Sequence, residues 1–149
     1  MSPAAPPPPK NSKPRFPVLM LGTNTYSLSF RGDNVEFTVP AEYSLCRIVG
    51  RGQFGCVASG TLTDKCKDGN GGGGDGGDGS IQKVAVKKIE HGCDDDYRRT
   101  AREVSILSSV LHPNVVSILD AFHTANDAIY IAFPLMDMDL RHCMNLQMS

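Results

Sequence analysis

The chain has 149 residues, of which 40% are hydrophobic and 21% are charged, a composition that fits one globular domain. Its 15 basic and 16 acidic residues leave a formal net charge of -1, which gives no global reason to expect binding to nucleic acid or to a membrane. The five cysteines form no C-x-x-C pair, and no apolar run reaches signal-peptide or membrane-span length, so we expect no structural zinc site and a cytoplasmic or nuclear protein.

Proline dominates the amino-terminal segment, residues 1–25, which we expect to be a disordered tail. Proline lacks an amide hydrogen and has a fixed φ, so this segment favours an extended backbone. The run Pro6 to Pro9 suits a proline-reading adaptor domain, and the basic and aliphatic residues within 10–21 suit a docking peptide for a protein partner. A solvated tail is the simpler interpretation, because such tracts are mostly linkers.

Alternating apolar residues predict a β-hairpin over residues 26–39, with its turn at residues 31–34 and its end at Pro40. Further strands are predicted at residues 43–49, 56–62, 82–89, 115–122 and 129–133. Asn126 and Asp127 mark the turn between the last two strands.

A single helix is predicted among these strands, over residues 94–111. Its predicted inner face recurs at helical spacing, at Tyr97, Ala101, Val104, Ser108 and Leu111. Aspartates at residues 94–96 suit the start of a helix, and Pro113 lies just past its end. Strands, one helix and then further strands predict the α+β class.

A glycine-rich segment, residues 63–80, separates two of the predicted strands. Glycine loses too much backbone entropy for a helix or strand to form there, so we interpret the segment as a flexible insertion. Asp68, Asp75 and Asp78 raise the alternative of a calcium site. Their spacing fits neither the EF-hand loop nor a nonapeptide repeat.

The run Gly50-Arg51-Gly52-Gln53-Phe54-Gly55-Cys56-Val57 matches G-x-G-x-x-G-x-V, a pattern that dinucleotide-binding folds and protein kinases share. The dinucleotide fold needs a helix directly after the last glycine, whereas residues 57–62 are strand-like. Strand, glycine loop, strand is the kinase order, in which missing Cβ atoms let backbone amides lie over phosphates. We expect Phe54 to cover the loop tip and Val57 to pack on adenine. An ordinary glycine hairpin is the alternative.

Lys87 ends the run Val84-Ala85-Val86-Lys87 on a predicted strand. Side chains alternate along a strand, so Ala85 and Lys87 share one face, where a small residue beside adenine and a phosphate-binding lysine both fit. Glu103, on the predicted helix beside Leu107, is placed to pair with Lys87. A lone lysine or glutamate is usually a solvated surface residue, but the order of glycine loop, lysine and glutamate favours a functional site.

Together these motifs resemble the protein kinases, and the mitogen-activated protein kinases most. The resemblance is carried by residues 49–57, 84–89, 99–103, 106–107, 112–115, 135–136 and 139–140. It implies an α+β amino-terminal kinase lobe over residues 26–149, with a five-stranded antiparallel sheet and one αC-type helix, truncated before the carboxy-terminal lobe. Phe133 and residues 119–124 look more like a cyclin-dependent kinase, so the subfamily stays open between the two.

The resemblance also implies an ATP site, with Lys87 and Glu103 as its catalytic ion pair. The implied nucleotide-binding residues are Val49, Gly50, Arg51, Gly52, Gln53, Phe54, Gly55, Cys56, Val57, Ala85, Lys87, Phe133, Pro134, Met136 and Asp139. Phe133 takes the gatekeeper position, and the Pro134 carbonyl would accept from the adenine amine. Met136 would bind adenine through its backbone, and Asp139 would bind the ribose. No residue of the chain is assigned to a metal.

The 149 residues contain no His-Arg-Asp loop and no Asp-Phe-Gly motif, which supply the base and the magnesium ligands in such kinases. We therefore expect the ATP-binding lobe of a serine/threonine protein kinase, whose complete form uses Mg²⁺, a protein substrate and an upstream kinase. The chain alone is predicted to transfer no phosphoryl group. The alternative is a non-catalytic truncated module that binds a nucleotide or a protein partner.

Overall fold

The computed structural model describes residues 22–53, 55–63, 80–90, 94–124 and 128–148. Its elements in chain order are β1 (Thr23–Phe30), β2 (Asp33–Pro40), β3 (Tyr43–Gly52), β4 (Gly55–Thr63), β5 (Ile81–Glu90), α1 (Asp94–Ser109), β6 (Asp120–His123), β7 (Ala128–Pro134) and α2 (Leu140–Gln147). The predictions for the proline-rich segment up to residue 21, for Phe54, for residues 64–79 and for the turn at 126–127 fall outside the described residues. No helix in the described part of the chain is long and apolar enough to cross a membrane.

The strands form two antiparallel sheets. β1 and β2 pair as a hairpin, and the other strands form a five-stranded sheet in the order β3-β4-β5-β7-β6. The predicted α+β class and five-stranded antiparallel sheet are therefore confirmed, with α1 as the helix between β5 and β6. The structure departs from the prediction at β1, which begins at Thr23 inside the segment interpreted as a tail, and at α2, which was not predicted.

A tight turn closes the hairpin at Arg31 and Gly32, whose φ values of 52° and 91° are both positive. Two positive φ values are the mark of the two-residue turn that matches strand twist, and glycine reaches such a value at no steric cost. Phe30 pairs directly with Asp33, so Asp33 and Asn34 belong to β2. The sequence pattern had placed both residues in the turn. The position of Asp33 is thus set by a short and well-defined loop.

The five-stranded sheet buries a different cluster on each face. The hairpin covers one face, where the buried cluster includes Val35, Phe37, Val39, Ala58, Val84, Val86, Phe122, Tyr130 and Ala132. The opposite face carries a smaller cluster that includes α1: Ile89, Val104, Ala121, Ile129 and Ile131. Alternation along β5 and β7 divides their side chains between these two faces.

Aromatic rings join the hairpin to the sheet. The Phe37 ring centroid lies 6.1 Å from that of Tyr130, which stacks on Phe122 at 5.2 Å, and Phe122 lies 5.6 Å from Tyr43. The backbone N–H of Thr38 donates to the Tyr130 hydroxyl at 3.0 Å. The hairpin is therefore part of the main hydrophobic core.

The inner face of α1 is narrower than the sequence predicted, and α1 ends at Ser109 instead of residue 111. Val104 is fully buried and Thr100 is 5% exposed, whereas Tyr97, Ser108 and Leu111 are exposed. The Thr100 hydroxyl donates to the helix backbone one turn earlier, at 3.0 Å, so its burial leaves no unsatisfied donor. Apolar character alone could not identify this buried polar position.

The strand predicted at residues 115–122 was too long at its start, since β6 covers only Asp120–His123. Its register pairs Asp120 with Ala132 on β7. Extending that register would place Ile118 opposite Pro134, which has no amide hydrogen to donate to a ladder. Val115 and Val116 are each 39% exposed and lie outside the sheet.

A polar cavity of about 470 Å³ lies beside the start of β6, lined by Glu42, Tyr43, Leu62, Thr63, Ser80, Gln82, Leu119 and Asp120. The Tyr43 hydroxyl donates to Oδ2 of Asp120 at 3.4 Å. Burial raises the pKa of Asp120 above its ordinary value, although the hydrogen bonds from the Ala121 amide and from Tyr43 oppose the shift. Burial, followed by the negative charge of Asp120, also raises the pKa of Tyr43.

We expect Tyr130→Phe to lower the free energy of unfolding by about 1–3 kcal/mol, because it leaves the part-buried Thr38 amide without its acceptor. Urea unfolding followed by circular dichroism measures the change. Thr25→Val is the matched control, since it removes only an exposed hydroxyl contact within the hairpin and should cost about 0.5 kcal/mol or less. Equal stability of Tyr130→Phe and the wild type would contradict the role given to this hydrogen bond.

We expect Asp120→Asn to stabilise the chain more at neutral than at acidic pH. The pKa of Asp120 is higher in the folded than in the unfolded chain, so the folded state binds more protons and loses stability as the pH rises through that interval. The asparagine variant lacks this loss of stability. Urea unfolding of both proteins at about pH 4 and pH 7 measures the difference in free energy of unfolding, the lower pH lying near the ordinary aspartate pKa.

Tyr43→Phe should change the pH dependence of stability in the opposite direction from Asp120→Asn. It removes a hydrogen bond that lowers the pKa of Asp120, so stability should fall more steeply between the two pH values than in the wild type. A stabilisation by Asp120→Asn that is the same at both pH values would refute the assignment.

Candidate functional site

One face of the sheet brings the predicted adenine and phosphate contacts together. Val57 on β4 pairs with Lys87 on β5, and Ala85 on β5 pairs with Phe133 on β7. Directly paired residues share a face, and so do residues two apart along a strand. These four side chains therefore lie on the α1 face. Val84 and Val86 of β5 point to the opposite face and are fully buried under the hairpin. The prediction that Ala85 and Lys87 share a face is confirmed.

Lys87 faces Glu103 on α1, as the order of motifs predicted. The Nζ of Lys87 lies 3.8 Å from Oε1 of Glu103, with 24% and 46% of the two side chains exposed. A charge-assisted hydrogen bond is about 2.7–2.9 Å long, so the pair is electrostatic and not directly hydrogen-bonded. The lysine ammonium keeps donors for a further anion.

The glycine loop joins β3 to β4, with Gly50 paired to Val57 and Gly52 paired to Gly55. Gly55 has a φ of 131°, and an added Cβ there would overlap the carbonyl oxygen of Lys88. Only glycine fits this position. An added Cβ on Gly50 or Gly52 meets no described atom within 4 Å, so the loop leaves space for a group to approach its backbone.

Val49 adjoins this loop at an irregular point of β3, where the pairing with β4 shifts between Ile48 and Gly50. The Val49 side chain is 45% exposed. Bulges of this kind re-aim side chains and are frequent beside functional sites. The alternating pattern of the sequence held no signal for the bulge.

Arg51 and Cys56 belong to the predicted nucleotide-binding set, but their side chains lie on the hairpin face. The two residues pair with each other, and Cys56 is 5% exposed within the hairpin-facing core. Burial raises the pKa of the Cys56 thiol. Any contact of these two residues with a ligand over the α1 face would therefore use the backbone.

A cavity of about 520 Å³ opens between the loop tip and α1. Its lining is Gln53, Lys87, Ile89, Glu90, Asp96, Arg99, Thr100 and Glu103. This volume lies in the range of about 300–1,000 Å³ that small-molecule sites occupy. The predicted loop residue Gln53 and both members of the ion pair thus share one concavity.

The segment after β7 contains the predicted adenine contacts. Phe133 packs partly against the core cluster of the α1 face, and Pro134 pairs with Val84 at the end of β7. The amide of Leu135 donates to the Lys83 carbonyl at 3.1 Å. Met136 is 57% exposed, and no described residue accepts a hydrogen bond from its amide. That amide is therefore available to a ligand.

Asp139 has a structural role that sequence analysis missed. It is the N-cap of α2, and its Oδ1 accepts from the His142 amide at 2.6 Å. Aspartate is a preferred N-cap residue, which was the available signal. The second carboxylate oxygen, Oδ2, has no part in that contact.

The described residues contain no group of three or more His, Cys, Asp or Glu side chains that could hold a metal ion. Three carboxylates line the cavity, those of Glu90, Asp96 and Glu103.

Comparison with known proteins agrees with this geometry. A sequence model of the protein tyrosine and serine/threonine kinase family matches residues 43–147. The chain is 32% identical over 141 residues to extracellular signal-regulated kinase 1 of Dictyostelium discoideum. The aligned stretch covers 91% of this chain and 22% of that protein. It is 27% identical over 125 residues to mitogen-activated protein kinase p38b of Drosophila melanogaster, covering 77% of this chain and 30% of that protein.

A plant relative matches a shorter stretch at a higher identity. Mitogen-activated protein kinase 2 of Oryza sativa subsp. japonica is 43% identical over 68 residues, which is 41% of this chain and 17% of that protein. The chain thus spans less than a third of the length of each of these relatives. With the glycine loop, Lys87 and Glu103 in place and the family matched from Tyr43 onward, the chain belongs to the protein tyrosine and serine/threonine kinase family as an amino-terminal lobe of mitogen-activated type.

Proposed function

We propose that this lobe binds ATP and that the whole enzyme transfers the γ-phosphoryl group of ATP to serine or threonine hydroxyls of a protein. The observation that carries the proposal is the Lys87–Glu103 pair, which lies on the sheet face next to an open glycine loop. The similarity to mitogen-activated protein kinases supports the class of reaction.

Adenine would lie on the apolar part of the α1 face, between Val57 and Ala85 and next to Phe133. The Pro134 carbonyl would accept from the adenine amine, and proline keeps that carbonyl although it lacks an amide hydrogen. The exposed Met136 supplies an amide donor. Asp139 would meet the ribose through Oδ2, because Oδ1 is engaged in capping α2.

The phosphates would lie between the glycine loop and Lys87. Backbone amides of the loop can approach oxygens closely where no Cβ intervenes. The Lys87 ammonium would donate to the α- and β-phosphates, while Glu103 holds it on the correct side of β5. At 3.8 Å, the carboxylate orients the lysine without occupying its donors through a short hydrogen bond.

In the proposed reaction, a substrate hydroxyl oxygen forms a bond to the γ-phosphorus as the bond to the β,γ-bridging oxygen breaks, and ADP leaves. The hydroxyl proton passes to a base. Magnesium would neutralise the phosphate charge when bound. The motifs that supply the base and the metal ligands are not among these 149 residues, so this lobe contributes binding and orientation, and the protein substrate and upstream kinase belong to the whole enzyme.

We expect Lys87→Met to weaken binding of a fluorescent ATP analogue by about tenfold or more, because a hydrogen bond to a charged group contributes about 1.5–3 kcal/mol. Glu103→Gln should weaken it by a smaller factor, since the lysine remains. The dissociation constant is measured by fluorescence anisotropy on the intact chain.

Lys88→Met is the matched control for Lys87→Met. Lys88 is the next residue on β5, lies on the hairpin face and pairs with Glu90 at 2.7 Å. It should leave nucleotide affinity unchanged in protein shown to be folded by circular dichroism. Equal weakening by both lysine variants would argue against the proposed site.

A second test uses two glycines of the same loop. Gly55→Ala should destabilise the fold, because its Cβ would overlap the Lys88 carbonyl and its φ is positive. Gly52→Ala should change the free energy of unfolding by no more than about 0.5 kcal/mol, since its Cβ meets no described atom. It should nevertheless weaken binding of the ATP analogue severalfold. Thermal unfolding and anisotropy separate the two effects. Full nucleotide affinity in folded Gly52→Ala would show that phosphates do not approach this loop.

A further inference from the structure

An ion pair links the hairpin turn to the glycine loop. Nη1 of Arg51 donates to Oδ2 of Asp33 at 2.9 Å, with 45% and 70% of the two side chains exposed. Asp33 is the first residue of β2 and directly follows the two-residue turn. Arg51 lies near the end of β3, next to Gly52 of the loop. Among the described residues, this is the one side-chain hydrogen bond between the hairpin and the loop.

Packing does little to hold the loop against the hairpin at this point. A cavity of about 590 Å³ lies between them, lined by Asn34, Val35, Glu36, Arg51, Gly52, Gln53, Gly55, Cys56, Lys88 and Glu90. Arg51, Gly52 and Gln53 are all exposed. The backbone near the loop tip is therefore restrained by strand pairing with β4 and by the ion pair, and little by buried side chains.

The pairing geometry separates this contact from the nucleotide face. Arg51 pairs across the ladder with Cys56, which is buried toward the hairpin, whereas Lys87 faces α1. The Arg51 guanidinium thus engages Asp33 on the side of the loop away from Lys87. Because the turn before Asp33 is short, with two positive φ values, the backbone of Asp33 is held in a defined place.

We propose that Asp33 and Arg51 are positioning residues for the glycine loop. The hairpin turn holds the loop through their ion pair and so pre-organises the loop backbone for a nucleoside triphosphate. This inference rests on the proposed function for its ligand and on the ion pair for its mechanism. Ordering the loop before binding removes part of the conformational cost of association.

If the Asp33–Arg51 ion pair acts as a tether for the loop, its loss should affect binding differently from a purely electrostatic change. Asp33→Asn removes a negative charge near the loop and Arg51→Gln removes a positive one. Long-range electrostatics alone would strengthen binding of an anionic nucleotide in the first variant and weaken it in the second. Loss of a tether weakens binding in both. We expect the dissociation constant of a fluorescent ATP analogue to rise by about twofold to fivefold in each, the range given by exposed ion pairs.

The double exchange Asp33→Arg with Arg51→Asp restores an ion pair and should recover most of the affinity. Glu36→Gln is the matched control, because Glu36 lies on the same strand and lines the same cavity, and its loss of charge equals that of Asp33→Asn. It should leave the affinity unchanged. Raising the salt concentration to about 1 M should reduce the difference between wild type and the single variants, because the Debye length falls to about 3 Å.

Hydrogen–deuterium exchange on the nucleotide-free chain tests the tether without any ligand. Loop amides over residues 50–57 should exchange faster in both single variants, with no change over α1, and the double exchange should restore protection. If the wild type binds no nucleotide but these exchange rates change, the proposed function fails and the tether stands. Opposite shifts in affinity for the two single variants, or unchanged loop exchange, would overturn the inference.

Discussion

The alternation of side chains along β5 is the constraint on which the rest of the molecule depends. Val84 and Val86 are fully buried under the hairpin, which holds the strand in one register. A slip by one residue would move every side chain of β5 to the other face. The two adjacent lysines show the consequence, since Lys87 faces Glu103 on α1 and Lys88 pairs with Glu90 toward the hairpin.

The same constraint divides β5 between the fold and the proposed site. Ala85 and Lys87 are available to a ligand because Val84 and Val86 supply the burial. The Lys87–Glu103 pair adds little to stability, because a half-exposed partner is screened by water. Asp139 likewise caps α2 with one oxygen and leaves the other outside that contact. The proposed site thus uses groups whose burial the core does not require.

The structure agrees with the sequence pattern where the pattern and the chemistry point the same way. The alternation around Lys87 and the glycine spacing predicted both the strands and the face that carries the ion pair. The structure departs from the pattern where a long-range or backbone property decides the outcome. The length of β6 depends on Pro134, which lies on a different strand, and the burial of Thr100 depends on a hydrogen bond to its own helix. The bulge at Val49 depends on how β3 and β4 fit together.

The nucleotide-binding roles remain predictions, because a ligand's position cannot be deduced from residue order. The resemblance implied a contact of Arg51 with the nucleotide, whereas strand pairing directs its side chain to Asp33. Phe54 falls outside the described residues, so its predicted place over the loop stays a prediction.

The aromatic contacts between hairpin and sheet make the folding unit longer than the segment that the family model matches. The family match begins at Tyr43, yet Phe37 contacts Tyr130 and the Thr38 amide donates to the hydroxyl of the same tyrosine. An expression boundary drawn at the start of the match would uncover Tyr130 and Phe122 along with the valines beneath the hairpin. The resulting apolar surface would favour aggregation. The folding unit therefore extends at least to Thr23, well before the start of the family-model match.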